Sequence, residues 1–188
     1  MIGNVKTSVR ESLIQAATEL FYAEGLRAVS VEKVIEKAGT TKVTFYRHFK
    51  SKDDLVVAHL ETRAQQERDG VDGAIAAADG DPDRVFQLIA GQLGEMACQQ
   101  GFRGCPFINA AAEYPDPTSR VRVTVDEHRA WCKSAYQRIV EPLGLDDPKA
   151  VADDLMLIRD GAMVAGYLDD AEALAASFLR SARALTRA

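Results

Sequence analysis

The sequence predicts an all-α protein of about nine helices, and three kinds of pattern support this. Apolar residues recur at i, i+3 and i+4 along most of the 188 residues, without the alternating runs and hairpin turns of β-structure. Helix-start signals are frequent: Ser8-x-x-Glu11, Ser51-x-x-Asp54 and the Asp-Pro pairs at 81–82 and 147–148. Breaks are predicted at 101–106 and 114–117.

Residues 30–50 contain two short amphipathic helices that meet at Gly39. Ser30 is a good N-cap for the first helix, and Gly39 can take the positive φ that follows a helix end. Thr40 or Thr41 can then cap the second helix. This stretch has the build of a helix-turn-helix, which places its second helix in the major groove of DNA.

The second of these helices is short of apolar residues and rich in hydrogen-bond donors. Phe45 and Phe49 are expected in the core. The remaining side chains suit phosphates and base edges and carry almost no acid. They are Lys42, Thr44, Tyr46, Arg47, His48 and Lys50, while Val43 adds to the apolar bulk of Phe45 and Phe49.

The motif around this helix is Gly-x5-Phe-Tyr-x-His-Phe followed by Lys-x-Lys-x-x-Leu. With this motif the chain resembles the tetracycline-repressor (TetR) family, and the similarity covers roughly the first third of the chain. It is carried by Gly39, Phe45, Tyr46, His48, Phe49, Lys50, Lys52 and Leu55. The resemblance implies a helix-turn-helix DNA-binding domain at 1–55 and a helical ligand-binding and dimerisation domain at 56–188.

The resemblance also implies a role in DNA binding for each matched residue. Lys42 is expected to donate to a guanine edge or a phosphate, Val43 to touch a thymine methyl, and Thr44 to serve base or phosphate. The wider set of expected DNA-binding residues is Ser30, Thr41, Lys42, Val43, Thr44, Tyr46, Arg47, His48 and Lys52. Lys42 stands where the family commonly has a small residue, and Val31 stands where it commonly has a threonine. The operator sequences of family members therefore cannot be assumed for this protein.

Charge is divided unevenly along the chain. Residues 1–50 contain eight Lys or Arg and five Asp or Glu, a net +3, and the rest carries −8, which together give the total of −5. An acidic body repels DNA, so the charge division orients the protein with its first domain towards the duplex.

The last two helices suit a partner helix. Small residues cluster between 150 and 167, and apolar residues recur at helical spacing from Ala171 onward. These stripes fit the protein's own core equally well. The family resemblance favours a homodimer through residues 148–186, which binds two half-sites of a near-palindromic operator.

A regulator of this kind is expected to respond to a small, largely apolar effector. Aromatic side chains suit an apolar cavity, and a few polar groups can orient the ligand. The candidates are Phe86, Phe107, Asn109, His128, Trp131 and Tyr167. A bound effector is expected to move the helix beginning at Ser51, which is predicted to end near Asp69. A DNA-binding protein without such an input remains an alternative.

Three cysteines raise the question of redox or metal chemistry. Cys98-x6-Cys105 is not a zinc spacing, so no metal site is predicted, and no cofactor either. Cys105 precedes a helix start and is the candidate for an alternative function, a redox- or electrophile-sensing repressor. A Cys105–His128 enzyme is a weaker alternative, since the sequence has no phosphate loop, zinc-protease or hydrolase motif. The prediction is that the protein is not an enzyme.

The sequence also bears on localisation. Residues 1–10 contain no apolar core of a signal peptide, and no run approaches the ~18 apolar residues of a membrane span. We expect a cytoplasmic protein that has no membrane partner.

Overall fold

A computed structural model describes residues 8–169 and 171–187. These residues form nine α-helices and no β-strand, which confirms the predicted all-α class. The helices are α1 (Val9–Glu24), α2 (Val31–Lys37), α3 (Lys42–His48), α4 (Lys52–Ala77), α5 (Pro82–Ala97), α6 (Pro106–Glu113), α7 (Arg120–Val140), α8 (Pro148–Leu168) and α9 (Ala171–Thr186).

The chain divides into two compact units. The first unit comprises residues 1–63 and 109–125, and the second comprises 64–108 and 126–188. The division differs from the predicted boundary at residue 55 in two ways. The first unit extends further into α4, and it includes a segment from the middle of the chain.

The turn between α2 and α3 forms as the sequence predicts. Gly39 has φ +63°, and its amide donates to Glu36 O while the Thr40 amide donates to Ile35 O. These two bonds form a Schellman motif that satisfies the last carbonyls of α2. Thr41, rather than Thr40, caps α3 by accepting a hydrogen bond from the Thr44 amide at 3.2 Å.

Helix α4 is longer than predicted. It begins after Ser51, whose hydroxyl accepts from the Asp54 amide, and continues to Ala77 instead of ending near Asp69. Two glycines, Gly70 and Gly73, disfavour helix in that region. Ala74 is nevertheless buried in the second unit, so tertiary packing outweighs the low helix propensity of glycine.

In the second unit, α9 packs against α5 and α8. The helices approach closely at Gly166, where a Cβ atom would lie 2.6 Å from Leu174 Cδ1 and 3.0 Å from Ala97 Cβ. Phe178 and Met163 are buried in the same unit. Gly166 of α8 therefore serves packing within the chain, one of the two uses that the sequence leaves open.

None of the helices formed by the described residues combines the length and the apolar character that a membrane span requires. The expectation of no signal peptide concerns residues 1–10, and the first seven of these lie outside the described residues.

His59 is a buried histidine of the first unit. Its side chain is 2 % exposed, its Nδ1 lies 2.8 Å from Thr18 Oγ1, and its ring meets Phe21 edge-on at 5.8 Å. Burial, together with the charge of Arg63, lowers the pKa of His59 from 6.5 to about 4. The imidazole is therefore neutral in the folded protein at neutral pH.

This histidine makes the stability of the fold depend on pH. Because the folded pKa lies below the unfolded one, the unfolded chain binds the proton first, and stability falls as the pH drops from 6.5 towards 4. Between pH 7 and pH 5 we expect the free energy of unfolding to fall by about 1–2 kcal/mol more in the wild type than in a His59→Gln variant. Urea denaturation at several pH values measures this difference. The exposed His48→Gln is the matched control, and equal slopes for the wild type and His59→Gln would contradict the assignment.

Candidate functional site

Two buried rings hold α3 in place. Phe45 is fully buried and Phe49 is 3 % exposed, and their centroids lie 5.8 Å apart. The guanidinium of Arg10 from α1 lies 5.3 Å from the centroid of Phe49. Both phenylalanines point into the core, as predicted, and the side chains on the opposite surface of α3 are exposed.

The opposite surface of α3 exposes side chains that are usually buried. Val43 is 71 % exposed and Tyr46 is 48 % exposed, although both are side chains that a core would accept. Lys42 is also exposed, and its Nζ lies 3.2 Å from a carboxylate oxygen of Glu32 on α2. A pair this exposed contributes little to stability, so the lysine can exchange partners at small cost.

The remaining residues predicted to bind DNA fall into two groups. Arg47 and His48 are exposed on the last turn of α3. The others are engaged with the backbone or with each other. Ser30 caps α2 by accepting from the Lys33 amide, and the hydroxyls of Thr41 and Thr44 are 3.0 Å apart.

The ammonium group of Lys52 is not freely solvated, as that of a lysine available to bind phosphate would be. Its Nζ donates to the carbonyl oxygen of Arg27 at 3.1 Å, and burial lowers its pKa from the ordinary value. The lysine therefore joins the start of α4 to the loop between α1 and α2. A role in binding phosphate stays a prediction for this residue.

Glu113, at the end of α6, caps the same loop. Its carboxylate accepts hydrogen bonds from the backbone amides of Leu26 at 2.9 Å and Arg27 at 2.6 Å. Gly25 makes room for this contact. Its φ is +94°, and a Cβ atom there would lie 3.3 Å from a carboxylate oxygen of Glu113. Carboxylate acceptance of backbone amides is a strong, charge-assisted interaction.

Two further contacts join residues 109–125 to the start of α4. The hydroxyl of Tyr114 donates to Asp53 at 2.9 Å, and Arg120 pairs with Asp54. Burial and the bond to Asp53 raise the pKa of Tyr114. With Glu113, these contacts explain why this segment belongs to the first unit, which the sequence did not predict.

The six residues predicted to bind an effector are not all brought together. In the second unit, His128 stacks on Phe107 with centroids 3.6 Å apart and lies 6.1 Å from the ring of Trp131. Phe86 is fully buried, Tyr167 is 49 % exposed, and both lie in the second unit. Asn109 is exposed and belongs to the first unit. Their role in ligand binding stays a prediction.

A groove of about 200 Å³ in the second unit contains none of these six residues. Its lining is formed by Ile75, Gly80, Pro82, Val85, Arg138, Ile139 and Pro142. It is smaller than the 300 Å³ or more that is typical of a site for a drug-sized ligand.

Next to the stacked rings lies a buried charged cluster. Arg159 of α8 is 3 % exposed and donates through Nη2 to both carboxylate oxygens of Glu67, at 2.8 and 3.0 Å. The Glu67 carboxylate also contacts His128 Nε2, at 3.2 Å. Cys132 Sγ lies 3.4 Å from the same nitrogen, and Arg159 Nη1 lies 3.2 Å from Cys105 Sγ.

The cluster shifts the protonation of its members. Burial alone would raise the pKa of Glu67, but the charge of Arg159 and the hydrogen bond from His128 hold that pKa well below the ordinary value. Burial, reinforced by the negative charge of Glu67, raises the pKa of Cys132 to about 12. At neutral pH the cluster thus contains a carboxylate and a protonated Cys132 thiol.

The three cysteines occupy different environments. Cys98 is exposed at the end of α5, whereas Cys105 and Cys132 are buried. Cys105 is 2 % exposed and precedes α6, and its sulfur accepts a hydrogen bond from Arg159 Nη1 at 3.2 Å. Redox sensing by Cys105 stays a prediction.

Sequence reasoning missed Glu67, Glu113 and Arg159. Their contacts span 92 residues for Glu67 with Arg159 and 87 for Glu113 with Leu26, so no local spacing reports them. One signal was present in the sequence: His128 and Cys132 stand four residues apart, which places them on one face of a helix.

Comparison with known proteins identifies relatives of the whole chain. Residues 13–59 match the family model described as bacterial regulatory proteins, tetR family. The structure is similar to that of SCO4454, a TetR-family transcriptional regulator from Streptomyces coelicolor. Identity is 36 %, the TM-score is 0.90, and the match covers 95 % of this chain and 94 % of that one.

Two curated relatives agree in class. The HTH-type transcriptional regulator YjdC of Escherichia coli is 25 % identical over 93 % of this chain and 95 % of its own length. The HTH-type transcriptional activator FasR of Mycolicibacterium smegmatis is 30 % identical, over 75 % of this chain and 63 % of its own length.

The capping of the α1–α2 loop by Glu113 predicts a loss of stability on substitution. Glu113→Ala removes the acceptor of two backbone amides, so we expect the free energy of unfolding to fall by about 2 kcal/mol. Urea denaturation followed by circular dichroism gives the value. Glu36→Ala, an exposed carboxylate of α2, is the control and should change stability by no more than about 0.5 kcal/mol. Equal losses of unfolding free energy in the two variants would show that the hydrogen bonds of Glu113 to the α1–α2 loop do not stabilise the fold.

Proposed function

From the premise that the chain belongs to the TetR family of transcriptional regulators, we propose that it binds a near-palindromic operator as a homodimer and responds to a small effector. It is a regulator, in keeping with its relatives, and not an enzyme. Regulation is expected to be repression through occupancy of the operator, and the protein is expected to act in the cytoplasm.

The observation that carries this proposal is the outward surface of α3. Lys42, Val43 and Tyr46 are all exposed on α3, and none of the charged side chains of this helix is buried. An ammonium group, a methyl-bearing side chain and a phenol are the groups that read guanine edges, thymine methyls and phosphates. Arg47 and His48 add donors at the end of the same helix.

Electrostatics supports the same docking. Residues 1–50 carry a net charge of +3 while the chain as a whole carries −5. The positive charge attracts the phosphate backbone, and the acidic remainder disfavours binding in any other orientation.

The dimer is proposed to form through α8 and α9. One side of α8 carries exposed apolar side chains at helical spacing: Leu157 at 68 %, Val164 at 46 % and Leu168 at 68 % exposed. Gly161 lies between them on the same side and permits close helix contact. Isolated exposed leucines are ordinary, but a continuous apolar stripe favours a partner surface.

The effector is proposed to be small and largely apolar and to bind in the second unit near Phe107, His128 and Trp131. The ring of His128 lies between the other two, with its centroid 3.6 Å from that of Phe107 and 6.1 Å from that of Trp131. The guanidinium of Arg68 lies 5.5 Å from the centroid of Trp131. Binding there is expected to shift the population between conformations with different operator affinity. A thermal-shift screen of apolar ligands tests this part, and it fails if no stabilising ligand also weakens operator binding.

Operator binding gives a direct prediction for α3. On a duplex selected from genomic DNA, Lys42→Ala should weaken binding by about 5- to 150-fold, because one specific contact is worth about 1–3 kcal/mol. Tyr46→Phe should weaken it about fivefold through loss of one phosphate hydrogen bond. Fluorescence anisotropy at two or more salt concentrations measures both effects.

The control is Lys133→Ala, an exposed lysine of α7 that should leave operator affinity unchanged. Wild-type affinity in folded Lys42→Ala and Tyr46→Phe variants would refute the proposed reading surface.

The apolar stripe of α8 predicts the oligomeric state. Leu157→Glu places a charge in the proposed interface, so we expect dimer affinity to fall by about 30-fold or more, the loss typical of a residue worth about 2 kcal/mol. Sedimentation equilibrium measures the dissociation constant. Val123→Glu, at a 44 % exposed position of the first unit, should have no effect. A Leu157→Glu variant as dimeric as the wild type would exclude this surface.

A further inference from the structure

Three different metal-binding donor atoms meet inside the second unit. His128 Nε2 lies 3.2 Å from Glu67 Oε2 and 3.4 Å from Cys132 Sγ, and Cys132 Sγ lies 3.9 Å from Glu67 Oε1. His128 and Cys132 converge because they are one turn apart on α7. Glu67 comes from α4, 65 residues from Cys132 in the chain, so the fold assembles this set.

These separations fit a single small ion. A tetrahedral zinc ion with bonds of about 2.0–2.3 Å holds its donor atoms roughly 3.3–3.6 Å apart. The two distances from His128 Nε2, to Glu67 Oε2 and to Cys132 Sγ, agree with that range, and one donor atom from each of the three residues lies within 4.8 Å of the other two. We propose that Glu67, His128 and Cys132 form a binding site for a zinc-class dication, which joins α4 to α7.

The donor set selects the class of metal. Imidazole nitrogen and thiolate sulfur suit Zn²⁺, Co²⁺ and related transition metals, whereas Mg²⁺ and Ca²⁺ require mostly oxygen ligands. Three protein donors leave a fourth position for water or a further ligand, as in open zinc sites.

Arg159 is a positioning residue in this site. Its two bonds to Glu67 fix the plane of the carboxylate, and a carboxylate has lone pairs enough to serve a guanidinium and a metal together. Arg159 also lies 3.4 Å from Asp160, so its positive charge has a second carboxylate partner. Metal binding would displace the proton of the Cys132 thiol to solvent, and the resulting thiolate together with the Glu67 carboxylate would balance the charge of the dication.

The burial pattern gives an ion a way in. The side chain of Glu67 is 26 % exposed, whereas that of His128 is 1 % exposed. The carboxylate therefore meets solvent on one side and the buried imidazole and thiol on the other. A purely structural ion pair between Glu67 and Arg159 would not require Cys132 beside His128 Nε2.

Titration of the full-length, metal-free protein with Co²⁺ tests the site. We expect one equivalent per chain, with a thiolate-to-cobalt charge-transfer band and the intense d–d absorption of tetrahedral coordination, both displaced by Zn²⁺. Cys132→Ser should abolish the charge-transfer band, and His128→Gln should weaken Co²⁺ binding at least tenfold. Cys98→Ser, at the exposed cysteine, is the matched control and should keep the wild-type spectrum.

A double variant protects the test against loss of folding in Cys132→Ser. In Cys98→Ser/Cys105→Ser the only cysteine left is Cys132, and the charge-transfer band should remain. Absence of the band in the wild type, its persistence in Cys132→Ser or its loss in the double variant would each overturn the proposal. The titration contains no DNA, so its failure leaves operator binding untouched.

Discussion

Burial of Phe45 and Phe49 is the constraint on which the proposed reading surface depends. A helix of seven residues is not stable alone, because nucleation outweighs the few hydrogen bonds it can form. The two rings supply the missing stability by packing, and replacing such a ring with alanine typically costs about 3–5 kcal/mol. Because they fix the rotation of α3 about its axis, they also determine that Lys42, Val43 and Tyr46 face outward.

The second unit is organised by a different constraint, the buried guanidinium of Arg159. An unpaired buried charge costs several kcal/mol, so Glu67 is required to compensate it. The carboxylate in turn orients His128, whose Nδ1 is buried and has no hydrogen-bond partner among the described residues. A core that only needed stability would do as well with apolar residues. The retained charges therefore favour a binding role for this region.

The sequence predicted the parts of the fold that local chemistry determines. Ser8, Thr41, Asp81 and Asp147 cap the predicted helices because a cap involves only residues two or three positions away. The predicted end of α4 near Asp69 was wrong, because burial of Ala74 in the second unit outweighs the low helix propensity of Gly70 and Gly73. The contacts of Glu113 and Glu67 were missed for the same reason: their partners are set by tertiary packing, which spacing does not encode.

The central claim is that α3 is the DNA-reading element. Hydrogen–deuterium exchange of the full-length protein, with and without a duplex selected from genomic DNA, tests it most directly, because exchange reports protection segment by segment. We predict slower exchange in the segment containing Lys42–His48 when the duplex is bound. A bound duplex that leaves exchange in this segment unchanged, while slowing it elsewhere, would contradict the account.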